Sequence, residues 1–211
     1  KKLYEGYDAE VVITDPISSQ LIKYLSNTYL PLRLSFANEA TRLSEYSGAN
    51  LTDVLKGVGL GSRIGSHYFR PSPSWGGSCF PKDLVEVNNF YNKDDLNLPL
   101  ISNIIGSNQE HLQWTINQLL SLKKNNSLKR IVLVGAAFKE DTDDLRNSPT
   151  LEIYNILNEM GEKVIILDTE IEVPNYQSFK QLDEVPSNSL LSIMYPLKEE
   201  LNMNISNYAN N

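Results

Sequence analysis

Apolar side chains recur along the first half of the chain with a helical period and along the second half in short continuous runs. From Ser18 onward Leu21, Leu25, Tyr29, Leu32, Phe36 and Leu43 follow one another at intervals of three, four and seven, which is one face of a helix. This predicts a single helix over Ser19–Tyr46, about seven turns at ~3.6 residues per turn, with Ser18 or Ser19 as N-cap and Ser47-Gly48 as its end. Pro31 falls inside it and removes a backbone donor, so a kink near Asn27 is expected. So long a helix has more apolar surface than one small domain covers, and pairing with a second copy follows.

Leu51–Val58 reads as a short helix capped by Asn50 or Thr52, and Asp83–Tyr91 and Ile101–Lys124 as two more. The last carries Ile104, Ile105, Leu112, Ile116, Leu119 and Leu120 on one side. Ahead of the long helix, Glu10–Thr14 (EVVIT) is a strand-like run closed by Asp15-Pro16, with nothing before it to pair against. Residues 1–16 therefore read as the tail of another domain.

At Lys129 the period changes. Ile131–Val134 is a continuous apolar run followed by Gly135, a polar loop, a helix over Pro149–Met160 closed by Gly161, and a second run at Val164–Leu167. This is a βαβ unit whose parallel strands are buried on both faces. Leu191–Met194 gives a third strand, Phe179–Leu182 a weak element before it, and the Asn-rich end is expected to fray. The predicted fold is α/β: a central all-helical dimerisation domain with one long helix (17–125), followed by a small Rossmann-like parallel-sheet domain (126–211).

The chain has 211 residues, with 19 basic against 26 acidic side chains. A net charge of −7 argues against nucleic acid as the main partner. No run approaches the roughly 20 apolar residues that cross a bilayer, and the start lacks the apolar core of a signal peptide. A soluble, cytoplasmic chain without membrane contact is expected. One cysteine, Cys79, and two histidines, His67 and His111, exclude an internal disulfide and leave little scope for a metal centre.

Candidate chemistry concentrates in two loops. Gly59–Pro81 is rich in Gly, Ser and Pro yet carries Arg63, Tyr68, Phe69, Arg70, Trp75 and Phe80, too aromatic for a linker and too long to be idle. In Trp75–Asp83 (WGGSCFPKD) two glycines permit a close backbone approach, and Cys79 stands at the start of a helix with Lys82 three residues on. That setting favours a thiolate nucleophile, and a buried cysteine in a tight turn fits the local pattern equally well. Lys23 and Asn27, four apart on one helix face, can donate hydrogen bonds to an oxyanion or form a solvated surface. Asp83 can orient a water or serve the helix start. The loop Gly135–Arg146 follows a strand and precedes a helix, where α/β sheets bind ligands. It holds one glycine and is not GxGxxG, so a dinucleotide fingerprint is not supported, while Lys139 and Arg146 can meet phosphates or solvent.

Taken in order, Ile22–Leu30 (IKYLSNTYL), Phe36–Glu39 (FANE), Arg63–Gly65 (RIG), Gly76–Asp83 (GGSCFPKD) and Phe138–Pro149 (FKEDTDDLRNSP) resemble the nucleotide-sugar dehydrogenase family, most closely its UDP-glucose branch. The resemblance implies Cys79 as catalytic nucleophile, Lys23 and Asn27 as oxyanion donors that also touch substrate, and Asp83 as the group assisting water. It implies that Tyr68, Arg70, Gly76, Phe80, Phe138 and Lys139 bind the nucleotide sugar, that Arg63 reaches into the partner subunit's site, and that Ser78, Lys82 and Arg146 meet NAD. The implied reaction is NAD-dependent four-electron oxidation of UDP-glucose to UDP-glucuronate through a thiohemiacetal and a thioester, by a homodimer and without metal. A GDP-mannose dehydrogenase, or a non-catalytic dimerising module that binds nucleotide sugars, are the alternatives; UDP-N-acetylmannosamine dehydrogenases are further off. The family opens with a GxGxxG domain that is absent here, so the expectation is a fragment holding the central and C-terminal domains, binding NAD poorly and turning over little.

Overall fold

The computed structural model describes residues 6, 8, 10–92, 96–196 and 205. The first helix, α1, spans Pro16–Ser47 and includes Pro31. It begins earlier than its apolar period suggests: Asp15 is the N-cap, its Oδ1 accepting from the backbone N–H groups of Ile17 and Ser18, each at 3.0 Å. Ser18 instead donates its hydroxyl to Asp15 Oδ2. The Asp-Pro pair, read from sequence as the end of a strand, is a carboxylate cap followed by proline at the first helical position, where its missing N–H costs nothing. Glu10–Thr14 forms no strand, and Val12 and Ile13 are 73% and 76% exposed.

The apolar stripe of α1 faces away from the chain's own core. Leu21, Leu25, Tyr29, Phe36 and Leu43 are exposed, whereas Thr28, Pro31, Ser35, Ala37, Asn38 and Ser44 are buried. Of the predicted stripe only Leu32 turns inward, toward a cluster of Trp75, Leu84 and Ile104. Helix α2 (Leu51–Gly59) is capped by Asn50 rather than Thr52. Helix α3 (Phe80–Asn92) starts three residues before its predicted position, directly after Cys79, and α4 (Pro99–Asn125) opens on Pro99.

The second part is a four-stranded, all-parallel sheet. Strands β1 (Arg130–Val134), β2 (Val164–Leu167), β3 (Ser178–Phe179) and β4 (Ser189–Ile193) lie in the order β3-β2-β1-β4, in register at Ile131↔Val164 and Ile131↔Leu190. The weak element near 179–182 resolves into the two-residue strand β3 and a 3₁₀ turn over Leu182–Glu184. Helix α5 (Pro149–Glu159) makes the crossover from β1 to β2. Alternate strand residues serve opposite faces. Ile131, Leu133, Val164 and Ile166 pack against α5 and against Leu112, Ile116 and Leu119 of α4, while Val132, Val134, Ile165 and Leu167 meet Val185 and Ile205.

Helix α4 thus belongs to both parts. Its first half packs Ile104 beside Trp75 and its second half covers the sheet. Among the described residues no helix is long and apolar enough to cross a membrane. The expected fraying of the Asn-rich end concerns residues 197–204 and 206–211, outside the described set.

Candidate active site

Three of the sequence-predicted residues converge where α1 crosses α3. Asp83 is 4% exposed, and its Oδ2 accepts from Lys23 Nζ at 2.7 Å and from Asn27 Nδ2 at 2.6 Å. The i, i+4 spacing puts both donors on one face of α1. Pro31 leaves the Asn27 carbonyl without its helical donor one turn away. Burial opposes ionisation of Asp83, but the hydrogen bonds from Lys23 and Asn27 outweigh it and hold the carboxyl below its usual range. The same bond to Asp83 holds Lys23 above the ordinary lysine value, with a smaller contribution from Cys79. Cys79 is exposed, one helical turn before Asp83, whose N–H bonds the Cys79 carbonyl at 3.0 Å.

The aromatic loop ahead of Cys79 is pinned to α1 and α4 by side chains whose roles the sequence pattern does not disclose. Asn38 Oδ1 accepts from the Ser72 N–H at 2.9 Å, and His111 Nε2 meets the Ser72 carbonyl at 3.0 Å. Asn108 bonds both backbone groups of Trp75, whose indole N–H donates to Ser35 Oγ at 2.8 Å. Arg33 donates to the carbonyls of Ile64 and Gly65, shaping the turn that carries Arg63. Desolvation pushes His111 down to about 4, so it sits neutral, its ring stacked on Trp114.

From this anchorage Gly76 and Gly77 reach across to the α/β part. Asn147 accepts from the Gly77 N–H at 3.3 Å through its carbonyl and donates its side-chain amide to the Gly77 carbonyl at 3.1 Å. Gly76 leaves no room for a side chain, and Gly77 takes φ +89° beside the Phe138 ring. Between the loop and the sheet lies a cavity of about 760 Å³, walled on one side by Tyr68, Arg70, Trp75 and Gly76–Phe80, on the other by Ala137–Asp141, Thr150, Met194 and Tyr195. Its floor falls outside the carboxyl ends of β1 and β4, the point where the strand order reverses and open α/β sheets bind ligands. Arg70 and Glu140 pair across it at 2.9 Å.

Tyr68, Arg70, Gly76, Phe80, Phe138, Lys139 and Ser78 all line this cavity together with Cys79. Lys82 and Arg146 are exposed and stand outside its walls; Arg146 forks onto Asp144 at 2.7 and 2.8 Å. Arg63 is exposed on the turn held by Arg33, away from the cavity of its own chain. Tyr195, which periodicity could not single out, completes the sheet side, and the Asp168 carboxylate stands next to it. Burial and then the Asp168 carboxylate push Tyr195 up to about 12, leaving its hydroxyl protonated.

At the end of β1 the Tyr195 ring packs directly on Gly135, so close that a Cβ there would lie 2.6 Å from it. Asp168, at the end of β2, has both oxygens engaged by the N–H groups of Ala136, Glu170 and Ile171, which ties the ends of β1 and β2 together.

Comparison with known proteins decides the family. Residues 17–110 match the central domain of the UDP-glucose/GDP-mannose dehydrogenase family and residues 132–200 its UDP binding domain. The chain belongs to that family. A UDP-glucose 6-dehydrogenase of Rickettsia felis is 38% identical over 150 residues, covering 71% of this chain and 34% of the relative. The UDP-glucose 6-dehydrogenase TuaD of Bacillus subtilis is 32% identical over 168 residues, covering 80% and 36%. A UDP-glucose dehydrogenase structure from the archaeon Pyrobaculum islandicum superposes with a TM-score of 0.79 at 29% identity, covering 92% of this chain and 47% of that one. The chain thus spans about a third of the length of these curated relatives. As a UDP-glucose/GDP-mannose dehydrogenase family member, its second matched region contains the sheet wall of the cavity, and its first contains Lys23, Asn27, Cys79 and Asp83.

Proposed function

We propose that this chain supplies the nucleotide-sugar cradle and the thiol for NAD-dependent oxidation of UDP-glucose to UDP-glucuronate. The observation that supports it most is the cavity that joins Cys79 to Phe138, Lys139 and Tyr195 at the strand-order reversal, in a chain whose relatives carry that activity in their names. The chemistry runs through side chains at hand. Loss of a proton and a hydride from the C6 alcohol gives an aldehyde. The Cys79 thiolate adds to its carbon, forming a C–S bond and an alkoxide, for which Lys23 and Asn27 are the nearby donors. Loss of a second hydride gives a thioester, and water, assisted by Asp83, breaks the C–S bond to release the carboxylate and the thiol. NAD supplies the hydride acceptor; Ser78, Lys82 and Arg146 offer it one polar edge near Cys79.

Lys139 and Arg70 suit the diphosphate, and the aromatic walls suit the base. The outward stripe of α1, with Leu21, Leu25, Phe36 and Leu43 exposed, suits a homodimer that would bring Arg63 to the partner's cavity. Calorimetric titration with UDP-glucose, UDP, GDP-mannose and NAD in parallel tests the reading. UDP and UDP-glucose should bind and NAD should not; silence toward every nucleotide, or preference for GDP-mannose, would overturn it.

A further inference from the structure

Cys79 belongs by sequence to the helical part, yet the wall it faces across the cavity belongs to the sheet. Among the described residues, apart from the half-exposed Arg70–Glu140 ion pair, the polar connection from the cysteine loop to that wall is made by Asn147. Asn147 stands just before α5 with φ +50°, a left-handed conformation that asparagine tolerates better than most residues. Its own position is fixed from both sides. Ser148 Oγ donates to the Ala136 carbonyl at 2.6 Å and Thr150 Oγ1 to the Gly135 carbonyl at 2.8 Å, tying the start of α5 to the end of β1. From this anchored point the Asn147 backbone carbonyl and side-chain amide grip both polar backbone groups of Gly77, two residues before the thiol.

We propose that Asn147 is a positioning residue that registers the Cys79 thiol against the nucleotide-sugar cavity, acting through Gly77. The proposal rests on the reading of the cavity given above, and it concerns where the thiol is held rather than the reaction step. Aspartate at 147 keeps the left-handed backbone and the carbonyl but cannot donate to Gly77 O. Glycine keeps the backbone and removes the side chain. Neither threatens folding through strain; aspartate replaces the donor by an acceptor facing the Gly77 carbonyl, and glycine removes the donor without adding a charge. With that bond gone, the polar tie left to Gly77 is its N–H to the Asn147 carbonyl at 3.3 Å, the rest of the hold being packing of Gly76 and Gly77 against Asn147, Pro149 and Phe138, and the thiol is held less closely against the cavity.

The test is the alkylation rate of Cys79 by iodoacetamide, followed by intact mass, on this chain and on Asn147→Gly and Asn147→Asp, with melting midpoints measured alongside. Without ligand, both variants should react at least threefold faster than the parent with midpoints within a few degrees of it. Equal or slower rates overturn the proposal, and so does Asn147→Asp behaving as the parent while Asn147→Gly does not, since the donor would then be idle. A second series adds saturating UDP-glucose. The parent thiol should be shielded at least tenfold and the variants less than threefold, with UDP affinity unchanged within twofold. Absence of shielding in the parent counts against the substrate reading alone, and the ligand-free rates still judge Asn147.

Discussion

The carbonyl oxygen of Asn147 occupies the place where a side chain on Gly76 would begin: a Cβ there would lie 1.9 Å from it. Neither group can yield, since one is backbone ahead of an anchored helix and the other leads to a buried tryptophan. Gly76→Ala should therefore destabilise the chain by about 3 kcal/mol, read as a lower urea midpoint. Gly77→Ala should cost less, about 1–2 kcal/mol from its positive φ, because the Phe138 ring it meets at 2.9 Å is a side chain that can turn. A smaller loss at 76 than at 77 would contradict this ordering.

The Lys23–Asp83–Asn27 arrangement predicts an asymmetry. Asn27 and Asp83 share a bond largely shielded from water, so Asn27→Ala should cost about 1.5–3 kcal/mol, the range for hydrogen bonds to a charged group. Lys23, with its side chain 53% exposed, should matter less to stability, because water screens and replaces its partner. Chemical denaturation of the two single variants and the double variant measures both, and a Lys23→Met loss larger than that of Asn27→Ala would refute the ranking. Asp83 is depressed on folding, so its contribution is present above its usual value of 3.8 and lost as the pH falls through the lower folded value. Lys23 is raised, so its contribution is present below 10.5 and lost as the pH rises beyond it.

His111 introduces a second pH dependence of the opposite chemical origin. Its folded value of about 4 lies below the ordinary 6.5 because burial disfavours the cation. The unfolded chain therefore binds more protons between those values, and stability, full above 6.5, declines as the pH falls toward 4. His111→Gln keeps a donor for the Ser72 carbonyl and carries no titrating group. Its urea midpoint should change less than the parent's between pH 7 and pH 4, and parallel profiles would dismiss the buried histidine as the cause.

Glu140 holds Arg70 across the mouth of the cavity. An anionic ligand must compete with that carboxylate, so Glu140→Gln should tighten UDP binding, by up to about fivefold for a half-exposed ion pair worth less than ~1 kcal/mol. Arg70→Ala should weaken it. Calorimetry decides, and tightening by Arg70→Ala would place the diphosphate elsewhere.

If the outward stripe of α1 is a homodimer surface, Phe36→Arg or Leu43→Glu should shift the chain to a monomer in sedimentation equilibrium without lowering its helix content. Both side chains are exposed, at 59% and 68%, and Phe36 also stacks on Phe69 of its own chain, so Leu43→Glu is the variant that disturbs the chain's own packing less. A parent that already sediments as a monomer would refute the dimer reading.

Strand β2 and the end of α1 were legible from local signals: the apolar run Val164–Leu167 and the left-handed Gly48 stop fall where the sequence puts them, whereas the last strand lies at Ser189–Ile193, about two residues earlier than its apolar run suggests. The start of α1 was not, since Asp15-Pro16 can equally close a strand or cap a helix, and what settles it is the Asp15 carboxylate accepting from the N–H groups of Ile17 and Ser18. Periodicity found the stripe of α1 but not the direction it faces. Its inward face includes Thr28, Ser35, Asn38 and Ser44, polar residues that read as solvent-facing; Ser72 bonds Asn38 and Trp75 bonds Ser35, while Thr28 turns its hydroxyl back to the Tyr24 carbonyl of its own helix. Lys23 and Asn27 were readable as a pair, but their common acceptor lies 56 residues or more away. Asn147 and Tyr195 gave no local signal, since Asn147 matters through a contact with Gly77 across the two parts and Tyr195 through contacts with Gly135 and Asp168 that are distant in sequence.

Helix α4 is a rod of 27 residues, roughly 40 Å long at 1.5 Å per residue. One end is set among α1 and α3 and the other against the sheet, where Lys123 also pairs with Glu162 beyond α5. A splint built into both halves in this way resists bending at the short stretch that follows it. The cavity therefore has rigid jambs: one wall is carried by the elements at the first end of α4 and the other by the sheet at its second end, so the rod sets the distance between them.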